Sequence, residues 1–241
     1  MKSNDYFEFK QFTVNQERCA HKVGTDGVLL GAWTDINFPF QKKLYRGLDI
    51  GTGTGLIALM LAQRKENLYI DAVEIDEEAC YQCLRNRNNA PFGHRIYPKP
   101  LSFQDFQPDT QYDLIVSNPP YFTNSTKCPD NQRTEARHND GLSLETLINR
   151  SLEMLCNTGH IALILPIERS KDLDLQIYIH NLQILRRTDI ITVEGQTPKR
   201  FMIELSHYKI DNPVFDTLTL ETEKHQRTAE YQELAKDFYL D

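Results

Sequence analysis

The sequence predicts an α/β fold built on one doubly wound, mostly parallel sheet. Three observations carry that expectation. Apolar runs alternate with helix-like stretches from Leu44 onward. A glycine turn, Asp49-Ile50-Gly51-Thr52-Gly53-Thr54-Gly55, stands where the first of those runs gives way to a helix-like stretch. A later apolar run, Tyr112 to Ser117, ends abruptly at Asn118-Pro119-Pro120. Alternation of this kind places helices on both faces of a sheet whose strands share one direction.

Taken in order, Leu44 to Ile50 reads as a strand running into the glycine turn, and Leu56 to Arg64 as the helix that follows. Tyr69 to Glu74 reads as a second strand, Glu77 to Asn89 as a helix and Tyr112 to Ser117 as a buried strand. The prolines forbid both helix and ladder at its end, so the chain must turn out of the sheet there. A polar loop, Asn124 to Gly141, precedes a helix from Leu144 to Leu155, a strand from His160 to Leu165 and a helix from Arg169 to His180. Ile184 to Thr192 and Phe201 to Lys209 close the pattern as a late strand pair. With no internal repeat and no compositional break, the economical reading is one domain over 1–241. Its core spans 44–209, with extensions over 1–43 and 210–241.

A chain of 241 residues corresponds to one large domain or two small ones at roughly 100 to 200 residues each, ample for a sizeable core. Lys and Arg number 27 against 34 Asp and Glu, a formal charge of -7. A polyanion partner must therefore meet a local basic patch rather than a generally cationic surface. Hydrophobic residues make up 40%, well clear of the composition of disordered chains. The longest apolar runs, Leu56 to Ala62 and Ile161 to Ile167, span seven residues, far short of the eighteen or so that cross a bilayer. The stretch from Met1 to Tyr6 shows neither an apolar signal core nor a transit pattern, which gives the expectation of a cytoplasmic address. Cys19, Cys80, Cys83, Cys128 and Cys156 are an odd, scattered set, as expected of reduced thiols. Cys80 and Cys83 form one C-x-x-C inside an expected helix, with no second pair or nearby histidine to complete a zinc set, so no metal is expected.

The glycine turn is the first feature with chemistry. Glycines there allow a tight turn and close approach of a ligand, and the helix start offers free N–H groups. The nicotinamide fingerprint would need glycine or alanine where Leu56 stands. Instead an acid, Asp49, precedes the glycines, and Glu74 follows Gly55 by nineteen residues at the end of the next strand. That is the place to accept hydrogen bonds from both hydroxyls of a ribose. An acid before the glycines suits a ligand with positive charge, such as a sulfonium amino acid, better than a pyrophosphate.

Asn118-Pro119-Pro120-Tyr121 emerges at the carboxyl edge of the sheet, where open α/β folds bind ligands. A planar exocyclic amine is a poor nucleophile because its lone pair is delocalised into the ring. The Asn118 side-chain oxygen and the Pro119 carbonyl can hold its two N–H bonds and favour a pyramidal nitrogen, while Tyr121 and Phe122 can stack on the base. This is positioning and electrostatic preorganisation rather than covalent catalysis.

The turn and Glu74 resemble the motifs of class I S-adenosylmethionine-dependent methyltransferases. That resemblance implies a Rossmann-like, mostly parallel seven-stranded sheet with an antiparallel last strand and S-adenosyl-L-methionine as cofactor. It implies Asp49, Gly51, Thr52, Gly53 and Gly55 around the methionine part, and Glu74 with Ile75 at the nucleoside. An acid or amide after the third strand would touch the adenine, a position that falls near Ser102, with Asp105 the nearest acid. The tetrapeptide resembles the fourth motif of amino-methyltransferases, which act on adenine N6, guanine N2, cytosine N4 or a glutamine amide. It gives Asn118, Pro119, Pro120 and Tyr121 as the catalytic set.

Phe12-Thr13-Val14-Asn15-Gln16, the stretch from Ala20 to Trp33, the loop Ala136-Arg137-His138-Asn139-Asp140 and the tail Asp237-Phe238-Tyr239-Leu240 closely resemble the bacterial tRNA1(Val) adenine-37 N6-methyltransferases. The likeness covers essentially the whole chain, although His21 stands where that family most often has methionine. It implies a tRNA substrate and an N-terminal extension that covers the cofactor, with Lys22, Thr25 and Asp26 near its methionine end. The bland reading of the same residues is a helix start with Thr25 or Asp26 as N-cap and Val28, Leu29 and Leu30 as the buried face. Phe122, Arg133, Arg137 and His138 become candidates for contact with the RNA. Lys42, Lys43, Arg46, Arg186, Arg187, Lys199 and Arg200 are further candidates for a phosphate grip.

The same motifs admit other functions. A release-factor glutamine N5-methyltransferase shares the tetrapeptide, yet normally carries an N-terminal helical recognition domain, and only about forty residues precede the first core strand here. A methyltransferase of rRNA base amines and a non-catalytic binding module complete the alternatives. No metal, membrane or obligate protein partner is expected.

Overall fold

A glycine turn can serve as a cradle only if the strands on either side of it bring other groups to the same edge, and the topology does this. The computed structural model describes residues 5–19, 22–120 and 142–240. Strands β1 (Tyr6–Glu8) and β2 (Thr13–Asn15) form an N-terminal hairpin, and α1 (Thr25–Trp33) follows. The core then runs β3 (Tyr45–Ile50), α2 (Leu56–Arg64), β4 (Leu68–Glu74), α3 (Glu77–Asn89), β5 (Ile96–Pro100), β6 (Tyr112–Ser117), α4 (Leu144–Met154), β7 (Leu155–Pro166), α5 (Ser170–Ile179), β8 (Gln183–Val193) and β9 (Arg200–Ser206). Strand β10 (Val214–Glu221) and α6 (Ala229–Ala235) complete the described strands and α-helices.

The main sheet has the order β10-β8-β9-β7-β6-β3-β4-β5. It is parallel throughout except for β9, which runs against both β7 and β8. The doubly wound, mostly parallel expectation therefore holds with one correction. Among the described residues the strands number eight, because β10, assigned to the C-terminal extension, adds to the outer side of β8 and runs parallel to it. The antiparallel strand is β9, the last strand of the expected core. The strand expected over Phe201 to Lys209 ends at Ser206, and the one expected over His160 to Leu165 extends over Leu155–Pro166.

The helices cover the sheet's two faces unequally. Residues of α1, α2 and α6 build one apolar core, joined by Cys83 of α3, and residues of α4 and α5 with Phe103 and Phe106 build the other. Helix α1 is buried over most of its length. Val28, Leu29 and Leu30 are at most 1% exposed, each contributing about 1.5–3 kcal/mol of burial. It packs closely on α2, because a Cβ on Gly27 or Gly31 would lie within 3 Å of Leu56 or Met60. Cys80 and Cys83 face inward from α3. Burial pushes both thiols up, as expected of inert core cysteines.

Candidate active site

Three parallel strands end in register at one edge. In β3 and β6, Ile50 pairs with Ser117, so Gly51 and Asn118 are the next residues on adjacent strands. In β4, Val73 pairs with Ile50, which puts Glu74 on the other side of Gly51. Glu74 in turn pairs with Pro100 at the end of β5. The chain leaves β3 towards β4 and β5 on one side, then returns to place β6 and β7 on the other. The crevice between the two directions is the usual ligand position in a doubly wound sheet. Ser117 Oγ donates to the Ile50 carbonyl at 2.9 Å and fastens the two strand ends together there.

The turn itself needs glycine. Gly51, Gly53 and Gly55 have φ of 69°, 54° and 84°, a region that disfavours side chains. A Cβ on Gly51 or Gly53 would meet nothing within 4 Å, so their outer side is open. At Gly55 it would lie 2.6 Å from Cys83 Sγ, so that glycine serves close packing of α3. Thr52 and Thr54 between them are buried.

The two acids differ in environment. Asp49 is fully buried, and its Oδ2 accepts from Thr52 Oγ1 at 2.6 Å and from the Ala58 N–H at 3.2 Å. Its Oδ1 has no hydrogen-bond partner among the described residues. Burial pushes this carboxyl up to about 7, opposed by those two bonds and helped by the charge of Glu74. Glu74 sits at the mouth, where Oε2 accepts the Gly53 N–H at 2.8 Å and Oε1 the Asp76 N–H at 3.0 Å. Each oxygen keeps acceptor capacity for a hydroxyl. Ile75 beside it is 56% exposed. Two residues past β5, Ser102 Oγ donates to Asp105 Oδ2 at 2.6 Å and accepts the Asp105 N–H at 3.1 Å. Hydroxyl and acid therefore occupy that edge as one unit.

The N-terminal segment lies beside this edge. Gln16 Oε1 accepts the Val23 N–H at 2.7 Å, which ties the residue after β2 to the approach to α1. Lys22 and Thr25 are exposed at the start of that helix, and Lys22 pairs with Asp5 at 3.9 Å. The expectation that Thr25 or Asp26 caps α1 is corrected. Gly24 occupies the N-cap without a side-chain cap bond, and both residues are already helical. Asp26 instead forms an ion pair with Arg200 at the start of β9. Because β9 is reversed, its first residue reaches the carboxyl edge, opposite Pro166 of β7.

Asn118 and Pro119 are half-buried and Pro120 exposed at the end of β6. Tyr121, Phe122, Arg133, Arg137 and His138 lie outside the described residues. The wider basic candidates separate by position. Lys42, Lys43 and Arg46 precede or open β3, at the opposite edge of the sheet from Asn118, and Lys42 pairs with Asp113. Arg186 donates to the Trp33 carbonyl and stacks on its ring at 3.7 Å. Arg187 pairs with Asp189 at 2.8 Å and lies over Phe201. These two cations hold the fold together rather than standing out from it. Lys199 is exposed at the carboxyl edge, tied to the β7 end by the Ile167 N–H bond to its carbonyl at 3.0 Å. Lys171, exposed at the start of α5, joins it there. The sequence pattern gives no role to Lys171, Asn86 or, within its quoted N-terminal motif, Gln16.

The residues fit a nucleoside carrying a sulfonium amino acid. The turn is open on its outer side, a carboxylate stands fixed by two backbone N–H groups at the end of the next strand, and a buried oxygen of Asp49 lacks a donor among the described residues. Among the described residues no group of three His, Cys, Asp or Glu side chains could hold a metal ion, and no helix is long and apolar enough to cross a membrane.

Comparison with known proteins agrees with this geometry. Residues 37–189 match the family described as methyltransferase small domain. The chain is 47% identical over 240 residues to a tRNA1(Val) (adenine(37)-N6)-methyltransferase of Parabacteroides distasonis, with 99% of each chain covered. It is 41% identical over 239 residues to a protein of the same name from Bacteroides thetaiotaomicron, covering 99% of this chain and 98% of that one. In fold it is similar to the crystal structure of a predicted O-methyltransferase from Agrobacterium tumefaciens, with a TM-score of 0.66, 18% identity, and coverage of 88% of this chain and 96% of that one.

Proposed function

Because the chain belongs to the tRNA1(Val) (adenine(37)-N6)-methyltransferase family, we propose that it methylates the exocyclic N6 of an adenine in tRNA, at the position that family name gives. The single observation that carries this reading is the register of β3 and β6. It sets the first glycine of the turn and Asn118 side by side on adjacent strand ends. The cofactor is S-adenosyl-L-methionine, which when bound supplies an electrophilic methyl group on a sulfonium sulfur.

The chain's own residues bind and orient. Glu74, held by two backbone N–H groups, accepts the ribose hydroxyls. Ile75 flanks the adenine of the cofactor, and Ser102 presents Asp105 towards it. Gly51, Thr52, Gly53 and Gly55 allow close approach of the methionine part over Asp49, whose unpartnered oxygen faces a cationic ligand. Lys22, Thr25 and Asp26 close over that end. Asn118 Oδ1 and the Pro119 carbonyl accept the two N–H bonds of the target amine and turn its lone pair out of the ring, and Pro120 stiffens the bend that carries them. Such fixed acceptors lower the barrier because they need no reorganisation during the reaction. Tyr121 and Phe122 stack on the base, which must first leave its own stack. Arg133, Arg137 and His138 neutralise tRNA phosphates, as do Lys171 and Lys199 at the carboxyl edge. No protein partner is needed for these roles, and the cytoplasm, where tRNA is found, is the proposed location.

Transfer of tritiated methyl from labelled cofactor to tRNA tests the assignment. Asn118→Ala is expected to keep cofactor affinity and to lose single-turnover rate by about a hundredfold. A near-normal rate, or label on protein rather than RNA, contradicts it.

A further inference from the structure

Asn86 lies in α3, nine residues from the helix start, and none of the roles above uses it. Its side chain is fully buried. It stands on the inward face with Ala79 and Cys83, a polar residue at a position where spacing calls for an apolar one. Burial of an amide is tolerated only when its donors and acceptor are paired, and here they are. Asn86 Oδ1 accepts the backbone N–H of Asn15 at 2.9 Å and the Asn15 side-chain Nδ2 at 3.3 Å. Asn86 Nδ2 donates to the Asn15 carbonyl at 2.9 Å and to the Thr54 carbonyl at 2.9 Å.

The two partners belong to different parts of the site. Asn15 ends strand β2 of the hairpin, and Gln16 beside it holds the Val23 N–H at the entrance to α1. Thr54 lies between Gly53 and Gly55 in the turn. One amide therefore pairs both backbone polar groups of Asn15, as a neighbouring strand would, while gripping a carbonyl of the glycine turn. The Arg18–Glu78 and Arg85–Glu17 ion pairs also bridge this segment to α3, but they are exposed and pairs of that kind hold weakly.

We infer that Asn86 is a positioning residue, a single buried amide that registers the N-terminal cover against the glycine turn so that cradle and cover of the cofactor site keep one geometry. The inference rests on the assignment of the turn to the cofactor. In the wild-type full chain, S-adenosyl-L-homocysteine bound at the turn should slow hydrogen exchange of the Asn15 amide, followed by nuclear magnetic resonance, by about tenfold or more. Unchanged Asn15 exchange in protein shown by calorimetry to bind that ligand overturns the inference. Asn86→Ala should raise the cofactor KM by about tenfold, with a much smaller change in kcat at saturating cofactor. A folded variant with lowered thermal stability and wild-type KM makes Asn86 a support of the core only. Glu74→Ala separates the two levels: if it leaves S-adenosyl-L-homocysteine affinity unchanged, the cofactor assignment of the turn fails, and the role of Asn86 with it.

Discussion

Gly53 donates its backbone N–H to Glu74 Oε2 at 2.8 Å. The acid at the end of β4 is thereby fixed by the turn it serves, with its orientation set before any ligand arrives. Preorganisation of this kind avoids an ordering cost on binding. Glu74→Ala should weaken S-adenosyl-L-methionine binding by roughly 1.5–3 kcal/mol, the range for hydrogen bonds to a charged group, as read by isothermal calorimetry. Unchanged affinity removes Glu74 from the site.

Asp49 predicts a pH dependence. An unfolded chain ionises this carboxyl near 3.8, whereas burial holds it protonated up to about 7 in the fold. Its contribution to stability is therefore present in full below about pH 4 and is lost as pH rises towards 7. A cation seated over the turn favours the ionised form, so cofactor affinity should rise with pH up to about 7, with proton release at pH 6. Calorimetry in two buffers of different ionisation enthalpy measures that release, and Asp49→Asn should abolish it. Affinity independent of pH between 5 and 8 would count against a charged ligand above Asp49.

Much of this arrangement was legible in the sequence. The limits of α3 and β6 follow from Asp76 before an amphipathic run and from the diproline after an apolar one. Hidden features share a physical cause. Pro98 and Pro100 mask β5, yet an edge strand needs only one side of its ladder. The hairpin β1–β2 is too short for periodicity and is held instead by Phe9 stacked on Phe12 and by the bond from the Lys10 N–H to the Phe238 carbonyl. Strand β10 begins with four exposed residues, Val214 to Thr217, and only Leu218 and Leu220 show a buried side. The Asp26–Arg200 pair joins residues 174 apart, beyond the reach of any local pattern. The visible signal for Asn86 was an amide on the apolar stripe of a helix.

The Asp26–Arg200 pair is half sheltered, at 14% and 25% side-chain exposure. Arg200→Ala should lower stability by about 1.5–3 kcal/mol, measured by urea unfolding. The exchange of both charges, Asp26→Arg with Arg200→Asp, should recover part of the loss. No recovery means that each residue acts through other contacts.

Lys199 tests where the RNA lies. If it meets a phosphate at the carboxyl edge, Lys199→Ala should weaken tRNA binding for all sequences and reduce the slope of log affinity against log salt by about one. The same substitution at Lys43, on the opposite edge, should leave the slope unchanged. The reverse result would move the RNA to the other side of the sheet.

The central claim is that the Gly51 and Asn118 strand ends join a methyl donor to an adenine amine in tRNA. Its most direct test is mass spectrometry of nucleosides and mapped fragments from unmodified tRNA incubated with the full chain and S-adenosyl-L-methionine. The predicted result is N6-methyladenosine at a single adenine beside the anticodon, absent with Asn118→Ala. Methylated guanine or cytosine, or unmodified tRNA together with methylated glutamine on a protein, would contradict the account.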